Sequence, residues 1–281
     1  MNLTYDKSEK FLLCQLCRHI LYAMSNIFIT GSADGLGQMA ARILINEGHN
    51  VWVHGRNEYR AEEAMSALPG AVGAIAGDLS EIKETVLLAC RINRLGNFDA
   101  IIHNASVGFC EPNRGNTRDG LPEVFAVNSL APYLLTSLIK KPTRLIYISS
   151  ALHFHGDITL QDLTWEKRTW NGFQAYADSK FHNLLLSQSI ARLWSQTISN
   201  AVEPGWVSTK MGGPNAIDDL TKAPVTQAWL AASNDKEAMV NGRYFYHQRA
   251  TAFNRQAANP EIQEAYLDYC KKITGVSIPL M

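Results

Sequence analysis

Tyr176 and Lys180 stand four residues apart in Tyr-Ala-Asp-Ser-Lys. On a helix that spacing sets both on one face, with Cβ atoms about 5–6 Å apart. A free phenol has a pKa near ~10 and exchanges protons poorly at neutral pH. A nearby ammonium favours phenolate and lowers that value. The pair is a candidate proton-transfer couple at pH 7. The spacing alone also fits an ordinary solvated helix face, because two common residues fall four apart by chance. A second motif, roughly 150 residues earlier, weighs against chance.

That motif is Thr30-Gly31-Ser32-Ala33-Asp34-Gly35-Leu36-Gly37. It joins an apolar run, Asn26–Thr30, to a helical pattern from Gly37 to Glu47. Its glycines permit a tight turn and let backbone N–H groups approach a pyrophosphate at a helix N-terminus. The spacing is GxxxGxG rather than GxGxxG, and the strand before and helix after it support nucleotide binding. The next strand ends His54-Gly55-Arg56-Asn57, with no acid before Glu58. An acid there would bind a ribose 2′-hydroxyl, whereas arginine forks onto a 2′-phosphate. NADP(H) is therefore favoured over NAD(H), although Asp34 in the loop opposes a phosphate.

Strand and helix patterns alternate along the chain. Strands are expected at 26–30, 51–54, 71–76, 98–103, 144–149, 198–202 and 243–246. Helices are expected at 37–47, 60–68, 82–94, 120–140, 176–195 and 261–274. Strands apolar on both faces imply a parallel sheet covered by helices on both sides. No linker or repeat interrupts the 281 residues, so residues 24–281 read as one domain and 1–23 as an N-terminal extension. Net charge is zero, which suggests no nucleic-acid partner. No apolar run reaches the ~18–20 residues of a membrane span. Five scattered cysteines, Cys14-x-x-Cys17 included, fit a reducing, cytoplasmic setting better than disulfides.

In order, the glycine loop, Asn104-Ala105, Ser149-Ser150, Tyr176-xxx-Lys180 and Pro204-Gly205 resemble the short-chain dehydrogenase/reductase family. The resemblance covers about residues 25–250. It implies a single-domain, Rossmann-like, doubly wound sheet of about seven strands. It also implies a nicotinamide cofactor and hydride transfer to or from a carbonyl or alcohol carbon. Tyr176 would then be the acid or base, and Lys180 would lower its pKa and hold the nicotinamide ribose. Ser150 would bond the substrate oxygen, and Asn128 would complete a tetrad through water. Pro132 gives Asn128 a physical rationale: lacking an N–H, it cannot cap the carbonyl four residues back, and the helix kinks there.

The same resemblance assigns the cofactor to Gly31, Ser32, Gly35, Leu36, Gly37 and Arg56. Asp78 and Leu79 would meet adenine, and Asn104 and Ala105 would pass the cofactor beside the fourth strand. Pro204, Gly205, Val207 and Thr209 would flank the nicotinamide. Ser106 replaces the glycine that usually follows Asn-Ala. The long interval Ala151–Ala175 resembles that of retinol-dehydrogenase-like members. Its Trp165, Trp170 and Phe173 are expected to help shape a pocket for a small-to-medium apolar carbonyl or alcohol. His153 and His155 lack a third ligand and read as surface or pocket wall. A homodimer or homotetramer through helices 120–140 and 176–195 is expected. A silent NADP(H)-binding sensor or scaffold is the alternative. A nucleotide-sugar epimerase fits less well, given the chain length and Arg56.

Overall fold

The computed structural model describes residues 24–280, so the expected extension and Cys14-x-x-Cys17 lie outside the described residues. Eight strands form one sheet: β1 Asn26–Ile29, β2 Asn50–Gly55, β3 Gly73–Ala76, β4 Ala100–His103, β5 Arg144–Ile148, β6 Ile198–Glu203, β7 Tyr244–Tyr246 and β8 Arg249–Thr251. Their order is β3-β2-β1-β4-β5-β6-β7-β8. All neighbours pair in parallel except β7 with β8. The sheet thus has one strand more than expected. The extra strand β8, Arg-Ala-Thr, is fully exposed and carries no apolar alternation to betray it.

Side chains of successive strand residues point to opposite faces. Ile27 and Ile29 join one apolar core with α1 (Gly35–Asn46) and α7 (Val225–Ala232). Phe28 joins the other with α3 (Ile82–Arg94), α5 (Ala131–Leu138), α6 (Gly172–Leu193) and α8 (Pro260–Thr274). Helix α2 (Glu58–Ala67) flanks β2 and β3. The short α7, with no side-chain N-cap bond, is not among the expected helices.

The helix expected over 120–140 is broken. A three-residue α4, Glu123–Phe125, runs into a π-helical turn, Ala126–Leu130, before α5 begins. Ala131 N donates to Ala126 O, five residues back. Pro132 sits in the first turn of α5, where its missing N–H breaks the regular ladder. The kink argued from Pro132 takes the form of this π turn.

Every residue of α6 from Ala177 to Ile190 is buried. Helix α8 supplies much of the cover. Tyr266 stacks on His182, 5.1 Å between centroids, and donates to Ser129 O at 3.3 Å. Asn259 caps α8 by accepting from Glu261 N, Pro260 starts it, and Gly275 ends it in a left-handed conformation.

Candidate active site

In a twisted parallel sheet the strand order reverses between β1 and β4, and a crevice opens outside the strand carboxyl ends there. A cleft of about 1070 Å³ occupies this place, large enough for a dinucleotide with a second small molecule. Gly31, Gly35 and Leu36 line it. Gly31 has φ +61°, and a Cβ there would lie 2.7 Å from Ala105 Cα. A Cβ on Gly37 would strike Asn104 Nδ2, so Gly37 serves loop packing beneath the cleft. Asn104 Nδ2 donates to Thr30 O at 3.0 Å and Gly31 O at 3.1 Å, and Ala105 N to Thr30 Oγ1 at 3.0 Å. Both residues also line the cleft. Ser32 does not: it is buried, donates to Ile29 O at 2.8 Å and accepts from His54 N at 2.8 Å.

His54 ties the loop to the sheet. Gly31 N donates to its Nδ1 at 3.0 Å, so Nε2 carries the proton and donates to Gly77 O at 2.9 Å. Burial pushes this imidazole down to about 4. Arg56 is exposed at the rim, with Arg60 beside it in the lining. Arg60 pairs with Glu63 and, at 2.7 Å, with Asp34. Lys210 reaches Asp34 from the opposite lip at 2.8 Å. Burial works against the Asp34 carboxylate, but Lys210 and Arg60 outweigh it and hold its pKa below the ordinary value. The loop carboxylate that opposed a phosphate is thus met by two cations. Asp78 and Leu79 line the same end, with Asp78 accepting from Ser80 N at 2.9 Å.

At the other end Ser150, Tyr176 and Lys180 line the cleft together. Ser149 also borders the cleft, but its hydroxyl is turned back and donates to Lys180 O at 2.8 Å. Ser150 starts the 3₁₀ turn Ala151–His155, its hydroxyl accepting from Leu152 N at 3.3 Å. Lys180, 1% exposed, donates to Ser106 Oγ at 3.0 Å and to Ile148 O at 3.2 Å. Its Nζ lies 5.0 Å from the Tyr176 ring centroid. Ser106, the departure from the family pattern, is therefore a partner of the lysine.

The expected lowering of the Tyr176 pKa is not what the geometry gives. Burial pushes the phenol up to about 12, only partly offset by Ser106, and pushes Lys180 down to about 7. Desolvation dominates for both groups, and the lysine leaves no visible mark on the phenol. Tyr176 therefore holds its proton at neutral pH. Asn128 is buried outside the cleft. Its side chain accepts from Val107 N at 2.8 Å and donates to Val107 O at 2.9 Å. It also donates to Ser179 Oγ at 3.1 Å. It joins the segment after β4 to the helix of Tyr176.

Pro204, Gly205, Val207 and Thr209 line the cleft. Their loop is knit by Trp206 N to Asp218 Oδ2 at 2.6 Å and Trp206 Nε1 to Gly212 O at 2.9 Å. Of the long 151–175 interval only Ala151 and Leu152 reach the lining. Trp165 instead packs with Trp170, Val124 and Ala175, and Arg168 lies 3.7 Å over its ring. Arg168 also bonds Asp178 at 2.9 Å, fastening the interval to α6. The cleft's aromatic wall comes from Phe109 and Trp206 instead. Phe109 meets Tyr176 edge-on, and Met211 Sδ lies 3.8 Å from the Tyr176 hydroxyl. His155 is exposed, but His153 is fully buried and neither surface nor cleft wall. Sequence reasoning missed Phe109, Arg60, Lys210 and Glu203 as lining residues. Arg60 lies four residues after Arg56, in the first turn of α2, the single signal that was present.

Comparison with known proteins bears on this arrangement. The family model described as short chain dehydrogenase matches residues 25–219. An uncharacterized oxidoreductase of Emericella nidulans is 40% identical over 91% of this chain and 99% of its own length. Retinol dehydrogenase 14 of Homo sapiens is 31% identical, covering 89% of this chain and 86% of its own. Among solved structures, an uncharacterized protein from Mycobacterium Paratuberculosis superposes with TM-score 0.76. That pair shares 23% identity over 93% of this chain and 98% of the other. A blue fluorescent protein from a metagenomic library, solved with NADPH, reaches TM-score 0.63 at 20% identity, over 79% and 95% of the two chains.

Proposed function

This chain belongs to the short-chain dehydrogenase family and is an oxidoreductase acting on CH–OH or carbonyl carbons, and from that premise we propose that it is an NADP(H)-dependent reductase of a small-to-medium apolar carbonyl compound. One observation carries the reading. The glycine loop and the trio Ser150, Tyr176 and Lys180 open onto a single cleft.

The residues fit a dinucleotide. Gly31 packs too closely on Ala105 for any side chain, and Gly35, at φ +56°, has open space within 4 Å of where a Cβ would stand. The N-terminus of α1 favours an anion, and Arg56 with Arg60 would face a 2′-phosphate. Asp78 and Leu79 would bound the adenine, and Pro204, Gly205, Val207 and Thr209 the nicotinamide. A bound nicotinamide would supply the hydride. Ser150 would donate to the carbonyl oxygen, and Tyr176, protonated at neutral pH, would deliver the proton as that oxygen gains charge. Lys180 would orient the neighbouring ribose. Phe109, Trp206 and Met211 would exclude water and accept an apolar substrate, which agrees with the name of the human relative.

A silent NADP(H)-binding scaffold has no use for a buried lysine whose charge is costly there. The test is NADPH oxidation over a panel of ketones, aldehydes and quinones, with NADH in parallel. Tyr176→Phe should lower turnover by about 10²–10⁴-fold and leave NADPH binding intact. Undiminished turnover in this variant would sink the mechanism, and faster turnover with NADH would sink the Arg56 argument.

A further inference from the structure

His153 lies directly behind Ser150. Its backbone N–H donates to Ser150 O at 3.0 Å. Its ring folds back onto the same oxygen, with Nδ1 at 2.6 Å. A carbonyl only accepts, so Nδ1 carries the proton. Nε2 is then a bare lone pair, and it accepts the backbone N–H of Asn254 at 3.1 Å. The two bonds select one tautomer of a neutral ring. Phe154 and Tyr244, with centroids 4.2 Å and 4.7 Å away, enclose it. Burial also lowers its pKa, which keeps it neutral. Asn254 lies between β8 and α8, beyond the residues that the family model matches.

We propose that His153 is a positioning residue that ties the C-terminal segment to Ser150 and so sets where the serine hydroxyl stands in the cleft. The inference rests on Ser150 acting on the substrate oxygen as proposed above. Two bonds from one residue to Ser150 O restrict the rotation of that peptide. The hydroxyl direction follows from the backbone that carries it, and a displacement of about 1 Å costs on the order of 10²-fold in rate.

Asn254→Pro deletes the N–H that His153 accepts. The φ there is −60°, an angle proline adopts. The Asn254 side chain also accepts from Gln256 N at 3.1 Å. Asn254→Ala removes that bond yet keeps the N–H, so the two variants together isolate the imidazole contact. Turnover should fall on the order of tenfold in Asn254→Pro but not in Asn254→Ala, with NADPH affinity unchanged in both. His153→Phe, which keeps a ring in the packed site, should behave like Asn254→Pro. In a Ser150→Ala background neither change should cost anything further, because coupled residues are not additive. Equal losses in the proline and alanine variants, or losses that persist without the serine hydroxyl, overturn the proposal. Nitrogen-15 NMR reads the same tie without turnover. His153 should be the Nδ1–H tautomer, and the Leu152 amide should shift in Asn254→Pro only. An Nε2–H ring or an unmoved Leu152 amide rejects it. If no carbonyl is reduced at all, the proposed function fails while these resonances still decide the tie.

Discussion

Lys180 shows how a single side chain divides stability from chemistry. Its ordinary pKa of 10.5 falls to about 7 through burial. Between those values the unfolded chain binds a proton that the folded chain does not, so folding stability rises with pH across that window. At and below about 7 the desolvation penalty is complete. Lys180→Met should therefore raise the unfolding free energy at pH 6.5, and the unfolding temperature with it, by a net on the order of 1–3 kcal/mol after the lost bonds to Ser106 and Ile148 are counted. The gain should vanish near pH 10, and turnover should be lost. A variant less stable than wild type at pH 6.5 would contradict the burial argument. The types and spacing of Tyr176 and Lys180 were legible in the sequence. The direction of the tyrosine shift was not, because helical spacing reports proximity and says nothing of how far both groups are removed from water. Ser106 was legible only as an oddity. Its meaning needed the loop after β4 folded against α6.

The elements were legible where period and punctuation agreed. Strand β1, the glycine loop and α1 follow from an apolar run, three glycines and a helical stripe. The break before α5 was argued from Pro132, but its form as a π turn follows from the chain keeping its other hydrogen bonds while yielding one. Pro132→Ala returns the missing N–H and should let α4 and α5 fuse. Asn128 would then turn away from Val107, whose N–H and carbonyl it holds. Turnover should fall about tenfold or more, while the unfolding temperature does not fall, because proline is the residue that disfavours the helix. Loss of stability together with activity would mark the π turn as a requirement of the fold and not of the site. The 151–175 interval was misread for a physical reason. Aromatic residues suit a pocket wall and an inner packing layer equally, and only the Arg168 contacts to Asp178 and Trp165 settle which.

At the scale of the whole fold, five of the described histidines are buried and answer to acid, His49 and His153 among them, their pKa values lowered by burial. His54, His103 and His182 have pKa values pushed down to about 4, 3 and 4, mainly by burial. Each takes up its proton more readily when unfolded, so stability falls as pH drops from about 6.5 toward 4. Acid unfolding over this range should involve uptake of at least about three protons, and His54→Gln should reduce that number by about one. A flat unfolding temperature between pH 6.5 and 4.5 would refute the assignment. Helix α8 also bears on assembly. It covers α6 within the protomer, so any homo-oligomer must meet through surfaces other than that helix face. The sequence could not reveal this, since both helices show only an apolar stripe and not which partner fills it.

The contact between Lys210 and Asp34 spans the two lips of the cleft, with 176 residues of chain between its ends. Lys210 is 82% exposed, and a pair so open to water is worth at most about 1 kcal/mol. Such a hasp fastens without locking. If a dinucleotide enters and leaves between the lips, each exchange would undo it, and ions in solution weaken it. Where release of the spent carrier limits the cycle, the pace of this enzyme is therefore expected to quicken with salt. The tempo would then be kept at the rim of the cleft rather than at Tyr176.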